Sequence, residues 1–411
     1  MSTKKTLAAL TGASILAMAF TGVPAIADED NLADAFKAGK IIFDLRTRHE
    51  TVSQDGFDVD ATAATMRIRT GFQTAKFKNL SFTMDFETIE GLTDKYNSTT
   101  NGNTTYPVVA DPDGTEINQL KVAYTGMADT TLTVGRQVIA LGNHRFIGHV
   151  GFRQNQQTFD AVTLVNSTFK DITFVYGFVD KVHRIFGNDH PAGNLQSNAH
   201  AFNAYYSGLS YGTATAYAYY LGVDAVPGLN TQTVGARWDG KHKIDDNYTI
   251  IYGAEYAQQK DYLTNPGNYN VKYYAFDAAI KTGGLLLKAG MESLGGNGTA
   301  SFKTPLATLH KFQGFADAFL NTPADGVNDY YGQVAYNLKI ENGFAKAFTI
   351  AAFYHDFKAN NGSTNMGNEF DLSLTTVFDK GLSLNLKLAN YNGKGFQASR
   401  SKIWLTLGYK Y

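Results

Sequence analysis

Apolar and polar side chains alternate every second residue in segment after segment of this chain. In IIFDLRTRHE, residues 41–50, Ile41, Phe43, Leu45 and Thr47 fall on one face and Asp44, Arg46, Arg48 and Glu50 on the other. In ATMRIRTGF, Ala64, Met66, Ile68, Thr70 and Phe72 oppose Thr65, Arg67, Arg69 and Gly71, and in SFTMDFET, Phe82, Met84 and Phe86 oppose Thr83, Asp85 and Glu87. LLLKAGME sets Leu285, Leu287, Ala289 and Met291 against Leu286, Lys288, Gly290 and Glu292, and the pattern returns in FDLSLTTVF and LSLNLKLAN. A period of two is a β-strand with one apolar and one polar face. A soluble propeller or solenoid built from such strands would repeat at a fixed interval, and this chain has no such repeat.

The spacing between the strands adds topology. Connections near 51–60, 90–115, 138–156, 181–198, 223–231, 260–268, 294–327, 358–366 and 392–400 are mostly long and rich in Gly, Asn and Asp. Between them fall the short connections TAKFKN, GMADT, STFKD, LSYG, GKHKIDDN, TGG, ENGFAKA and DKG. Long external loops alternating with tight periplasmic turns are the outer-membrane barrel arrangement. Nine long loops predict an all-β fold, a transmembrane antiparallel barrel of about eighteen strands. Closure removes the edges that so long a sheet would expose.

Composition agrees. Aromatics make up 13% of the residues, with 40 glycines and 8 prolines, and beyond residue 27 no apolar run is long enough to span as a helix. Residues 1–27 read as a secretory signal peptide: Lys4 and Lys5, an apolar core from Leu7 to Phe20, then Ala25, Ile26 and Ala27. The barrel domain is therefore expected over 28–411. Removing two lysines and no acids takes the formal net charge from −1 to −3, which provides no basic footprint for nucleic acid. With no cysteine in 411 residues, the chain is neither a disulfide scaffold nor a thiol enzyme.

The final segment, SKIWLTLGYKY, places Ile403, Leu405, Leu407, Tyr409 and Tyr411 on one face, with Lys402, Thr406, Gly408 and Lys410 on the other. It resembles the C-terminal assembly signal of Gram-negative outer-membrane proteins, implying outer-membrane lipid and the barrel assembly machinery, met through Tyr411, as partners. Two further blocks stand out: GRQVIALGNHRFIGHVGFRQNQQTFDA at 135–161 and FKTPLATLHKFQGFADAFLNTPADGVNDYY at 302–331. Together they resemble the alginate export family of outer-membrane porins. The resemblance implies a monomeric eighteen-stranded barrel whose arginine-rich lumen passes anionic polysaccharide or other solutes by diffusion. One feature departs from that family, because every periplasmic turn is short where the type exporter has a long plugging turn. The stretch LATLHKFQGFADAFL, with apolar residues at helical spacing, is expected to dock in the barrel mouth as a lid.

Parity alone puts Arg46, Arg48, Arg67 and Arg69 in the lumen with Asp85 and Glu87 beside them, and Lys288 and Arg237 on the far wall. Inward rings of Arg and Lys are a usual construction for an anion pore. The alternative is lumen-filling ion pairs without selectivity. Arg136, Arg145 and Arg153 carry the same two readings, a constriction offering forked donors to a carboxylate or phosphate, or anchors satisfying an inward-folded loop. Asp111, Asp113 and Glu116 lack full calcium-loop spacing, the histidines lack zinc spacing, and GGNGT lacks the lysine of a phosphate loop. No cofactor and no catalytic motif is expected. The function expected is an outer-membrane channel for anionic solutes, including anionic oligo- or polysaccharides such as alginate-like polyuronates, with a non-selective barrel, or a structural barrel or adhesin with a plugged lumen, as the alternative.

Overall fold

The computed structural model describes residues 28–411, so the signal-peptide expectation lies outside the described residues. The barrel strands are β1 (Lys40–Gln54), β2 (Ala61–Gln73), β3 (Leu80–Gly91), β4 (Gly114–Met127), β5 (Thr130–Gln137) and β6 (Thr158–Asn166). They continue with β7 (Ile172–His183), β8 (Asn194–Leu209), β9 (Gly212–Leu221), β10 (Thr231–Lys243), β11 (Tyr248–Asp261) and β12 (Asn270–Thr282). The circuit ends with β13 (Leu285–Gly295), β14 (Gly326–Lys339), β15 (Ala345–Lys358), β16 (Asn365–Phe378), β17 (Leu382–Asn392) and β18 (Arg400–Lys410). Each strand pairs antiparallel with the next, and β18 returns to β1 from Asp44↔Lys410 to Gln54↔Arg400. The sheet is thus a closed eighteen-stranded barrel without a free edge.

Connections alternate as the sequence predicts. Eight short turns, such as 128–129 and 283–284, lie at the end where β1 begins and β18 finishes, and nine loops lie at the other. The tightest turns need left-handed residues, supplied by Asp129 (φ 49°) and Gly283 (φ 52°). Outside the turn end, a short helix α1 (Leu32–Lys37) is capped by the Asn31 side chain, which accepts from the Asp34 N–H at 2.9 Å.

The outer face carries the predicted apolar set. Leu287, Val334, Ile403, Leu405 and Leu407 are exposed on the barrel wall, and Tyr211, Tyr248 and Phe344 are exposed near the turns, where amphipathic rings suit a membrane interface. Inward residues are buried because the lumen is filled. Loop 3 (138–157) and loop 7 (296–325) fold inside and join: Ile147 bridges Leu306, Gly148 N–H donates to Leu306 O at 2.8 Å, and Thr308 N–H donates to His144 O at 3.0 Å. Ile139, Leu141 and Ile147 of loop 3, with Phe302 and Leu306 of loop 7, pack on Val179, Leu195 and Tyr219 of the wall in one apolar core. Loop 2 (92–113) makes a smaller core of Tyr96 and Val109 with Val52, Ala61 and Ala63.

Loop 7 corrects one expectation. LATLHKFQGFADAFL is not a helix; its only regular piece is a single 3-10 turn, Leu309–Lys311. Its backbone bonds go to the wall instead, with Phe315 N–H donating to Asp371 at 3.0 Å and Ala316 N–H to Glu369 at 2.6 Å. Its apolar spacing serves separate docking sites: Phe319 packs on Phe357 and Tyr391, and Phe312 lies against Arg145.

Candidate pore chamber

The first three strands form a charged wall, with each residue placed inward by parity. Arg67 Nη2 donates to Asp44 Oδ1 at 2.5 Å and its Nε lies 4.0 Å from Glu87, which also pairs with Arg69. Asp85 serves another purpose, accepting from Asn118 at 2.6 Å and Gln119 at 2.7 Å across the β3–β4 register shift. Arg46 spends its donors on loop 3: Gln154 Oε1 and Gly151 O, both at 2.8 Å, and Arg153 O. Arg48 stacks 4.2 Å over the Phe152 ring, with its Nη1 3.8 Å from Asp111. A cation removed from water needs a partner of this kind, because its desolvation costs several kcal/mol.

The loop 3 arginines are engaged as thoroughly. Arg136, at the end of β5, forks onto Asp160 at 2.8 and 3.2 Å. Arg145 is 1% exposed and crosses the lumen to fork onto Glu292 at 2.7 and 3.3 Å, with Thr304 Oγ1 at 3.2 Å. Arg153 meets Glu50 at 3.0 Å, Asp317 at 3.5 Å and Asp111 at 3.6 Å. These pairs pin loop 3 to β1 and β13. On the far wall Arg237 holds Asp239 at 2.6 Å and Glu255 at 2.9 Å, and Lys288 holds Asp277 at 3.0 Å. Asp111, Asp113 and Glu116 tie loops together, accepting from the N–H groups of Gln154, Gly91 and Asn188 respectively.

Between loop 3, loop 7 and the wall from β10 to β17 lies a chamber of about 400 Å³. Phe152, Phe312, Phe315, Phe353 and Tyr331 give it aromatic surface, and Arg237, Lys288, Lys311 and Lys387 line it together with the acids Asp277, Glu292 and Asp329. Lys387, on β17, shares with Arg46 the lack of an acidic partner among the described residues, but unlike Arg46 it lines the chamber. Its ammonium makes no ion pair among the described residues; it donates to His310 Nε2 at 2.7 Å and sits 3.3 Å from the Phe315 ring centre and 4.8 Å from that of Phe152. His310 Nδ1 is 2.8 Å from Asp317, which Lys402 also holds at 3.1 Å. Burial, reinforced by the Lys387 charge, pushes His310 down to about 3, so the imidazole is neutral at ordinary pH. With Nε2 accepting from Lys387, its proton belongs on Nδ1, facing Asp317. Burial, aided by the Lys311 charge, likewise takes His144 of loop 3 down to about 4.

Lys387 and His310 were not singled out by the sequence reading. LSLNLKLAN places Lys387 on the inward face, but an inward lysine becomes distinctive only once its neighbours' partners are known. Those partners come from strands and loops far apart in the chain. Trp404, also inward and fully buried, lies edge-on to the His310 ring at 5.6 Å.

No protein-family model and no curated protein sequence matches the chain. Solved structures do. The barrel is similar to Acinetobacter baumannii OccAB4 (TM-score 0.71, 15% identity, 91% of this chain and 98% of that one). It is also similar to Pseudomonas aeruginosa OpdL (0.67, 13%, 91% and 98%) and to P. aeruginosa OpdK with vanillate (0.66, 13%, 90% and 98%). At these identities the likeness establishes the fold, that of the Occ and Opd outer-membrane porins. It corrects the resemblance to the alginate export family. The two blocks that carried that resemblance are loops 3 and 7. Filling a wide barrel against a wall of ion pairs demands Arg, Asn, Gln and aromatic residues in any inward-folded loop, so that composition marks the packing problem and not the family.

Proposed function

We propose that this outer-membrane porin passes small organic anions, and that the chamber beside Lys387 is where the anion is held. One observation carries the reading: the Lys387 side-chain nitrogen, which makes no ion pair among the described residues, faces an aromatic-lined cavity, while the arginines of the wall and of loop 3 are engaged by acids or backbone. An ammonium without a carboxylate offers a passing anion a charge-assisted hydrogen bond that costs no existing ion pair. Phenylalanine faces on either side favour a solute carrying a flat apolar ring. Vanillate, named with OpdK, is an aromatic carboxylate, and that class fits the charge and lining here. The wall arginines then contribute the background field and hold the loops, whereas Lys387 contributes the contact.

Single-channel recording in a planar bilayer tests this. Discrete conductance steps are expected, with transient block by benzoate or vanillate at concentrations where an uncharged analogue, benzamide, has little effect. In Lys387→Met the benzoate block should weaken. A barrel that never conducts would support the plugged structural alternative, and equal block by benzoate and benzamide would remove the anion reading.

A further inference from the structure

His310 is held as a ligand would be. Its ring stacks on Phe152 of loop 3 with centroids 3.5 Å apart and planes 14° apart, and on Phe315 at 5.4 Å and 23°. Its Nε2 accepts from Lys387 at 2.7 Å. A planar ring stacked on two phenylalanines, with an acceptor atom on the Lys387 amine, is the contact set the chamber would offer a flat anion whose uncharged end faces Asp317, now 2.8 Å from Nδ1. We infer that His310 is an internal ligand of Lys387, occupying the solute's place in the empty pore, and that an entering anion displaces it. This rests on the proposed anion site.

The segment bearing His310 is built to be exchangeable. It is a single 3-10 turn, Leu309–Lys311, too short to hold its own shape. Gln313, Gly314 and Asp317, which follow it, have φ of 57°, 81° and 60°, so the chain is held in left-handed backbone by its contacts. The polar contacts come from the wall and from loop 3: Glu369 and Asp371 accept the Ala316 and Phe315 N–H groups, and Asp317 meets Lys402 and Arg153. When the His310 ring swings out it gives up its own 2.8 Å contact with Asp317, which Lys402 and Arg153 still hold, so the anchored part of loop 7 provides the hinge. Glycine suits position 314, whose φ of 81° L side chains rarely adopt and where a Cβ would press on the Glu369 carboxyl group. A neutral imidazole is also a weaker partner for an ammonium than a carboxylate, because the carboxylate adds the attraction of opposite charges to the hydrogen bond. The exchange therefore runs toward the anion. An internal competitor lowers the apparent affinity of the solute by the fraction of time the site is free.

His310→Gly tests this by chemical rescue. Single-channel conductance should rise, benzoate should block at lower concentration, and millimolar imidazole, at a pH where it is neutral, should abolish the rise. Imidazole should have no effect on the wild type or on the His310→Gly/Lys387→Met double variant. If His310→Gly yields no heat-modifiable barrel, His310→Asn is recorded in its place, with the same rise expected. Unchanged conductance, or an equal imidazole effect on the wild type, would overturn the internal-ligand assignment. Ion selectivity in a salt gradient separates this failure from that of the anion reading: an anion-selective pore without rescue refutes only the internal ligand. A cation-selective pore with rescue refutes only the anion site.

Discussion

Arg145 spans the lumen to fork onto Glu292, while Lys387 meets a neutral imidazole, and the contrast separates structural charge from available charge. Arg145→Ala would leave the Glu292 carboxylate buried with Tyr273 as its remaining hydrogen-bond donor. Breaking one side of a buried pair costs about 3–5 kcal/mol, so loop 3 should become protease-sensitive in this variant. Arg145→Ala/Glu292→Gln should recover much of the protection, since a neutral amide tolerates the site. If the single and double variants are cleaved equally, the pair does not anchor the loop. Parity places Arg46, Arg48, Arg67 and Arg69 inward, and the 135–161 block offers Arg145, but the sequence did not single out Lys387 and could not separate the two kinds of cation. Separating them requires knowing that Asp44, Glu50, Asp111, Glu255 and Glu292 are the acids that reach them.

Strands and loops differ in how far the sequence reveals them. A strand of the barrel states its own orientation, because lipid and lumen impose opposite chemistry on successive residues. Leu405→Arg places a charge on the lipid face and should cost ~2–4 kcal/mol if near the midplane, read as loss of the heat-modifiable form. Gln333→Arg, facing the chamber, should fold normally. Equal behaviour would mean the assigned faces are wrong. Loops 3 and 7 have no period, because their residues are chosen one by one against a wall assembled from distant strands; helical spacing in loop 7 therefore misled. Their docking should depend on pH. His310 is neutral when docked, surrounded by Lys387, Arg153, Lys402 and Asp317, but in an undocked loop it would titrate near 6.5. The docked state thus binds fewer protons between pH ~6.5 and about 3, so its stability is full above that window and falls as pH drops through it. Asp317, held well below the carboxylate range by Lys402 and His310 against the opposing effect of burial, loses stabilisation in the same direction at lower pH. Hydrogen-exchange protection factors across 309–317, which are corrected for the pH dependence of intrinsic exchange, should fall from pH 7 to 5 in the wild type and less in His310→Asn. A pH-independent difference would contradict this coupling.

At the scale of the whole molecule, net charge is a poor guide to what the pore prefers. The full chain is at −1, and its charged residues are largely cancelled in pairs around the lumen wall. Selectivity depends on the local field where the path is narrow, and that field is screened over about 8 Å at physiological ionic strength. The proposed preference for anions should therefore weaken in high salt. The most direct measurement is the reversal potential of single channels in a potassium chloride gradient, for the wild type and for Lys387→Met. The wild type should reverse toward the chloride equilibrium potential and Lys387→Met distinctly less so, with conductance retained in both. A wild-type reversal toward the potassium potential, or one that Lys387→Met leaves unchanged, would contradict the account.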